Sequence, residues 1–195
     1  MNLSRYIAAI TVSACLATGC AGPNSSAGAK QGASSGAIGG AVGGLVSSLI
    51  FGGDALGGAA AGAAIGAASG AAAGAASGAS VDKKQQQHYA AEFGEDNYNG
   101  FLALVGCDYN KALDLAAKGQ QNKDRNYALS GIWLETLAYA DQNNYEKAAT
   151  LYPKLEKNDP ALLDRNDTER KLKDAVRKLR TIRADENRAP QCVAP

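Results

Sequence analysis

Histidine is nearly missing from this chain, and an excess of either charge sign is missing altogether. A single histidine, His88, stands beside four cysteines, and the formal net charge is +1. One histidine without a ligand spacing of cysteines excludes a recognisable zinc site. It follows a glutamine run, Gln85-Gln86-Gln87, and reads as a surface position. No serine or cysteine sits in a strand-to-helix nucleophile turn, and no phosphate-cradling glycine loop follows a strand. The chain is therefore not expected to be an enzyme, and no catalytic residue, metal ligand, cofactor or small-molecule substrate is assigned. Near-neutral charge removes the long-range field that a nucleic-acid binder needs. Convincing strand-like alternation is absent as well, which leaves an all-α class.

What is present begins with an export signal. Arg5 is followed by an apolar stretch from Tyr6 to Leu16 and by small residues before a cysteine, Ala17-Thr18-Gly19-Cys20. An apolar run this short does not span a bilayer core, which takes about 20 residues, so residues 1–19 read as a signal peptide that is removed. The small residues before Cys20 resemble the lipobox of bacterial lipoproteins, which implies acylation of Cys20 as the new first residue. Val12-Ser13-Ala14-Cys15 is a competing match, disfavoured because cleavage there leaves too short an apolar region; an ordinary secretory peptide is the plainer alternative. Losing Arg5 takes the 20 basic residues to 19, equal to the 19 acidic ones. Cys107 and Cys192 then remain in an oxidising compartment where a disulfide persists. Joined, they close a loop of about 85 residues, worth roughly 4 kcal/mol in the chain-entropy model. Two unpaired thiols are the other possibility, because spacing alone does not bring their Cα atoms together.

Residues 20–35 are small and polar and suit a flexible tether. Between Lys30 and Asp82 the sole charged residue is Asp54, and glycines recur every four positions. One series runs Gly28, Gly32, Gly36, Gly40, Gly44 and the next Gly58, Gly62, Gly66, Gly70, Gly74, Gly78, with Gly39 and Gly43 beside the first. Glycine costs up to about 1 kcal/mol against alanine in a helix, so such regularity needs a reason. Close backbone packing supplies one, with Gly36, Gly40, Gly44 and Gly58 to Gly78 as the helix-packing positions. Phe51-Gly52-Gly53-Asp54 is turn chemistry, giving helices near 35–51 and 55–80 of about 25 and 39 Å at 1.5 Å per residue. Residues 36–80 resemble the glycine-zipper, two-helix segment of outer-membrane lipoproteins, which implies a hairpin in or on the outer membrane and a role in the envelope. The second helix has only Leu56 and Ile65 among small residues, so its insertion leans on helix pairing. A disordered spacer is the competing reading of this region.

From Val81 onward charges, aromatics and helical periodicity take over. A helical face carries Tyr89, Phe93 and, past a break at Gly94, Tyr98, Phe101, Leu102 and Val105. At an offset of 36, Asp108-Tyr109-Asn110-Lys111-Ala112 returns as Asn144-Tyr145-Glu146-Lys147-Ala148. With Ala148, Tyr152 and Pro160 at the small, aromatic and proline spacing, residues 89–160 resemble tetratricopeptide-type helical hairpins; a generic α-bundle is the alternative. The last helix buries Leu172, Val176, Leu179 and Ile182, with Asp159-Pro160 and Asn166-Asp167-Thr168 as start signals. Lys171, Lys173, Arg177, Lys178, Arg180 and Arg183 are expected on its remaining surface, read as a solvated face with Glu169 to Lys173 and Asp174 to Lys178 as four-residue pairs; contact with an anionic lipid headgroup or peptidoglycan acid is the alternative.

The chain is thus read as a Gly/Ala-zipper helical hairpin plus a tetratricopeptide-like C-terminal domain over 81–195. These features imply an outer-membrane lipoprotein with a structural or assembly role, whose helical domain holds a protein partner in the periplasm. The rival is a self-assembling, membrane-active or pore-forming oligomer built through the glycine zipper.

Overall fold

Helix-capping aspartates and asparagines recur between the apolar stretches, and each marks the start of a helix. The computed structural model describes residues 38–49, 80–185 and 188–192. Among these the chain is all-helical, with α1 over 38–49, α2 Ser80–Phe93, α3 Glu95–Val105, α4 Tyr109–Gln120, α5 Arg125–Asp141, α6 Tyr145–Thr150, α7 Tyr152–Asn158 and α8 Arg165–Asp185. The expected signal peptide, the tether and all but the last residue of the second zipper helix at 55–80 lie outside the described residues, and Ser80 opens α2. Among the described residues no helix is long and apolar enough to cross a membrane.

α2 and α3 are parted at Gly94, whose φ of +89° is a conformation side chains rarely tolerate. A Cβ there would also meet the Tyr127 ring at 3.0 Å. α5 is the hub: α2, α3, α4, α6, α7 and α8 all pack on it, and its buried positions run around the whole helix, from Leu129 and Ile132 to Trp133, Leu134 and Leu137. A helix apolar on every side belongs in a core. Its polar members are satisfied locally, Ser130 Oγ donating to Asn126 O at 2.9 Å and Thr136 Oγ1 to Ile132 O at 2.7 Å. The fully buried Trp133 donates its indole N–H to Asp159 at 3.0 Å, tying α5 to the end of α7.

The sequence repeat is a repeat of backbone geometry. In the first copy Cys107 N donates to Leu104 O (3.1 Å) and Asp108 N to Ala103 O (2.9 Å); in the second Asn143 N donates to Ala140 O and Asn144 N to Tyr139 O, both at 2.9 Å. These are the two closing bonds of a Schellman turn. Both copies place a left-handed residue at the same point, Cys107 at φ 65° and Asn143 at φ 59°. The next residue in each caps the following helix, Asp108 accepting from Lys111 N and Asn144 from Lys147 N. Burial repeats too: Asn97, Phe101, Leu104, Val105, Ala112 and Ala116 are buried, and so are Trp133, Leu137, Ala140, Asp141, Ala148 and Tyr152 at an offset of 36.

α8 corrects three sequence expectations. Its start is capped by Asp164, which accepts from Asp167 N at 2.8 Å, so neither Asp159 nor Asn166 does this work; Asp159 is occupied by Trp133 and by Ala161 N. Leu172, Val176, Leu179 and Ile182 are buried as expected, but Lys178 and Arg183 are buried with them rather than facing solvent. The ion pairs also differ from the four-residue pairs anticipated. Asp174 binds Arg177 at 2.7 Å, Glu169 binds Arg165 at 3.5 Å, and Asp167 gathers Arg170 and Lys171. Burial works to raise the Asp167 pKa, yet the Leu163 N–H, Arg170 and Lys171 outweigh it and hold the carboxyl below its ordinary value.

Candidate functional site

Two features at the C-terminal end of α8 stand out: a buried ionic clamp and, on its outer side, a basic groove. The clamp is centred on Arg183, whose side chain is fully buried. Its Nη2 donates to Asp141 Oδ2 and to Leu104 O, both at 2.6 Å, its Nε to Val105 O at 3.2 Å, and its Nη1 to Pro190 O at 3.2 Å. Leu104 and Val105 close α3, and Asp141 closes α5. One guanidinium therefore donates to the last carbonyls of one helix end and to the carboxylate at the matching end of its repeat. Asp141 has further partners. The Tyr109 hydroxyl donates to Oδ2 at 2.8 Å, and Arg180 Nε lies 3.4 Å from Oδ1. Burial, the hydrogen bond to Asp141 and its negative charge push the Tyr109 pKa up to about 12 against the opposing pull of Arg183 and Arg180. The clamp ties the ends of α3 and α5, α8 and the segment at Pro190 to one guanidinium.

Cys107 and Cys192 are bonded, with Cα atoms 5.6 Å apart. The bridge fastens residues 188–192 beside the clamp, and Arg188 N adds a 2.9 Å bond to Arg183 O. Cys20, Gly36 and the series Gly58, Gly62, Gly66, Gly70, Gly74 and Gly78 lie outside the described residues. Gly40 and Gly44 sit on α1, Gly40 buried and Gly44 half-buried. A close approach is made by Gly43 of the neighbouring stripe: the Tyr89 ring of α2 occupies the place a Cβ would take. Ser47 Oγ of α1 also donates to Glu92 at 3.2 Å. α1 is thus seated on α2 of its own chain. His88 is exposed, with Nε2 3.8 Å from Glu92. Among the described residues no cluster of three His, Cys, Asp or Glu side chains is placed to hold a metal.

The groove, about 510 Å³, runs between α6 and α8 and is lined by Tyr145, Lys173, Val176, Arg177, Arg180 and Pro190 among others. Its lining has three cations and no carboxylate. Lys173 has no ion pair or hydrogen bond among the described residues. Arg177 is paired to Asp174 yet keeps a side chain 65% exposed. Arg180 shares Asp141 with Arg183, which holds that carboxylate more closely, so positive charge is left over at the inner wall. Tyr145, 41% exposed, is one of two large apolar side chains so open among the described residues.

In comparisons with protein-family models, with curated proteins and with solved structures, the chain has no match. The clamp escaped sequence reasoning, though a signal for it existed. Arg183 follows Leu172 by eleven positions and Leu179 by four, and Asp141 follows Leu137 by four. A charge in register with an apolar stripe points inward. The groove had no such signal, because α6 and the 188–192 segment meet α8 only through the tertiary fold.

Proposed function

We propose that this chain is a lipid-anchored outer-membrane lipoprotein, acylated at Cys20, in which a glycine-zipper hairpin over 36–80 precedes a tetratricopeptide-like domain that holds a protein partner in the periplasm. The observation that carries the reading is the helix-turn-helix unit repeated at an offset of 36, with the same turn bonds, the same left-handed residue and the same buried register. Stacked helical hairpins expose extended, concave faces suited to gripping another chain. The placement of Gly43 against Tyr89 of the same chain supports packing of the zipper on its own domain over assembly between copies.

Two measurements test this. Cys20→Ala removes the acylation site, so metabolic fatty-acid labelling is expected to disappear; label that persists would refute the anchor. Crosslinking of the full-length protein in isolated membranes is expected to give mixed products with a second protein that survive Gly66→Leu combined with Gly70→Leu. Homo-oligomer ladders that vanish in that variant would select the self-assembling alternative.

A further inference from the structure

The groove beside the clamp carries an inference that rests on the protein-binding reading and sharpens it. Lys173, Arg177 and Arg180 lie at i, i+4 and i+7 on α8, so their Cα atoms step along the helix by about 6 and 4.5 Å at 1.5 Å per residue. Carboxylates two residues apart on an extended chain are about 6.6 Å apart, close to the first of these steps. A guanidinium also takes a carboxylate in two parallel hydrogen bonds, which suits Arg177 to side-chain carboxylates.

The walls differ in character. Val176, almost fully buried, lines the groove among the cations, together with Tyr145 of α6 and Pro190 of the segment that follows α8. Pro190 does not drift: its carbonyl is held by Arg183 at 3.2 Å, and the chain two residues on is bonded to Cys107. Leftover positive charge at Arg180, and a Lys173 without a partner among the described residues, make the lining complementary to anions. Tyr145, Val176 and Pro190 beside the cations add apolar contacts on the scale of single residues, which fits an acidic peptide chain.

We infer that this groove is the docking site for an extended acidic peptide segment of the partner, with carboxylates on alternate residues engaging Lys173 and Arg177 and the Tyr145 ring packing on the peptide between them. The segment lies along α8, with one end against Pro190.

The test uses the full-length protein reconstituted in phosphatidylcholine nanodiscs. The probes are a fluorescent decapeptide with glutamate at alternate positions and its glutamine counterpart. Binding by anisotropy is expected for the glutamate peptide, at least about tenfold weaker for the glutamine one, and weaker again in high salt. Lys173→Glu combined with Arg177→Glu is expected to weaken it by about tenfold or more. Lys118→Glu combined with Arg165→Glu, the same charge change at exposed sites outside the groove, is expected to leave most of it. Equal binding of the two peptides, or equal loss in both double variants, would overturn the proposal. So would phosphatidylglycerol-dependent binding of the protein to discs with neither peptide bound, which assigns the face to the membrane. If the peptide fails while the membrane crosslinks to a second protein persist in the groove variant, the groove is wrong and the module reading stands. Loss of those crosslinks in the groove variant alone supports both.

Discussion

The two copies of the helix-turn-helix unit share a backbone and differ in what they do with it. Each closes with the same pair of turn bonds around a left-handed residue. In the first copy that residue is Cys107, bonded to Cys192, and the tyrosine two positions on, Tyr109, donates to Asp141. In the second copy the same positions are Asn143, whose Oδ1 lies 3.4 Å from Arg180, and the exposed Tyr145. The first turn is fastened from outside; the second leaves its aromatic at the groove. Backbone hydrogen bonds preserve the turn whatever the side chains are, so side chains at equivalent positions are free to become struts in one copy and contact surface in the other. Arg183 joins the copies by binding carbonyls of the first and the carboxylate of the second.

That comparison breaks most severely at the shared residue. Arg183→Ala leaves the buried Asp141 with only Tyr109 and the more distant Arg180 and takes a donor from three carbonyls; urea unfolding is expected to show a loss of about 5 kcal/mol, the upper end for removing one partner of a buried pair, because those carbonyl bonds go with it. A loss below about 1 kcal/mol would mean that the two turns do not depend on a common clamp.

Opening the bridge touches one copy only. Cys192→Ser is expected to cost about 4 kcal/mol by freeing the loop in the unfolded chain. Hydrogen exchange should quicken at the Cys107–Asp108 turn and stay unchanged at Asn143–Asn144. Equal quickening at both turns would show that the fastening serves the whole domain.

The smallest effect contrasts the paired tyrosines. Tyr109→Phe is expected to cost about 2 kcal/mol, the worth of a hydrogen bond to a charged group, and Tyr145→Phe close to nothing. The pH dependence separates them further. Because the folded-state pKa of Tyr109 is raised to about 12 from an ordinary 10.0, its contribution is fully present below pH 10 and is lost as pH rises toward 12. Wild-type protein and Tyr145→Phe should therefore lose more stability across that interval than Tyr109→Phe. Parallel losses in all three would remove Asp141 as the cause of the shift.

Much of the fold could be read from residue order. Gly94 marked a break, the Asp108 and Asn144 segments marked a repeat, and Leu172, Val176, Leu179 and Ile182 marked the inner face of α8, because helical period and cap chemistry are local properties. The charged residues were harder. Arg183 looks like the rest of a solvated basic face until α3, α5 and the 188–192 segment close over it, and Lys178 of the same helix is buried as well. Asp159 looks like a helix start until Trp133 claims it. Such side chains are placed by what surrounds them, and their surroundings come from sequence positions as far apart as the 79 residues between Leu104 and Arg183.

By itself the sequence determined the helical class and the repeat with its turns. Only the tertiary structure decided that one arginine serves both repeat ends, that Gly43 receives Tyr89, and that Lys173, Arg177 and Tyr145 face a common groove. Local hydrogen bonds and periodicity are written in neighbouring residues, whereas burial of a charge and the pairing of distant surfaces depend on how helices pack, and packing is a property of the whole chain.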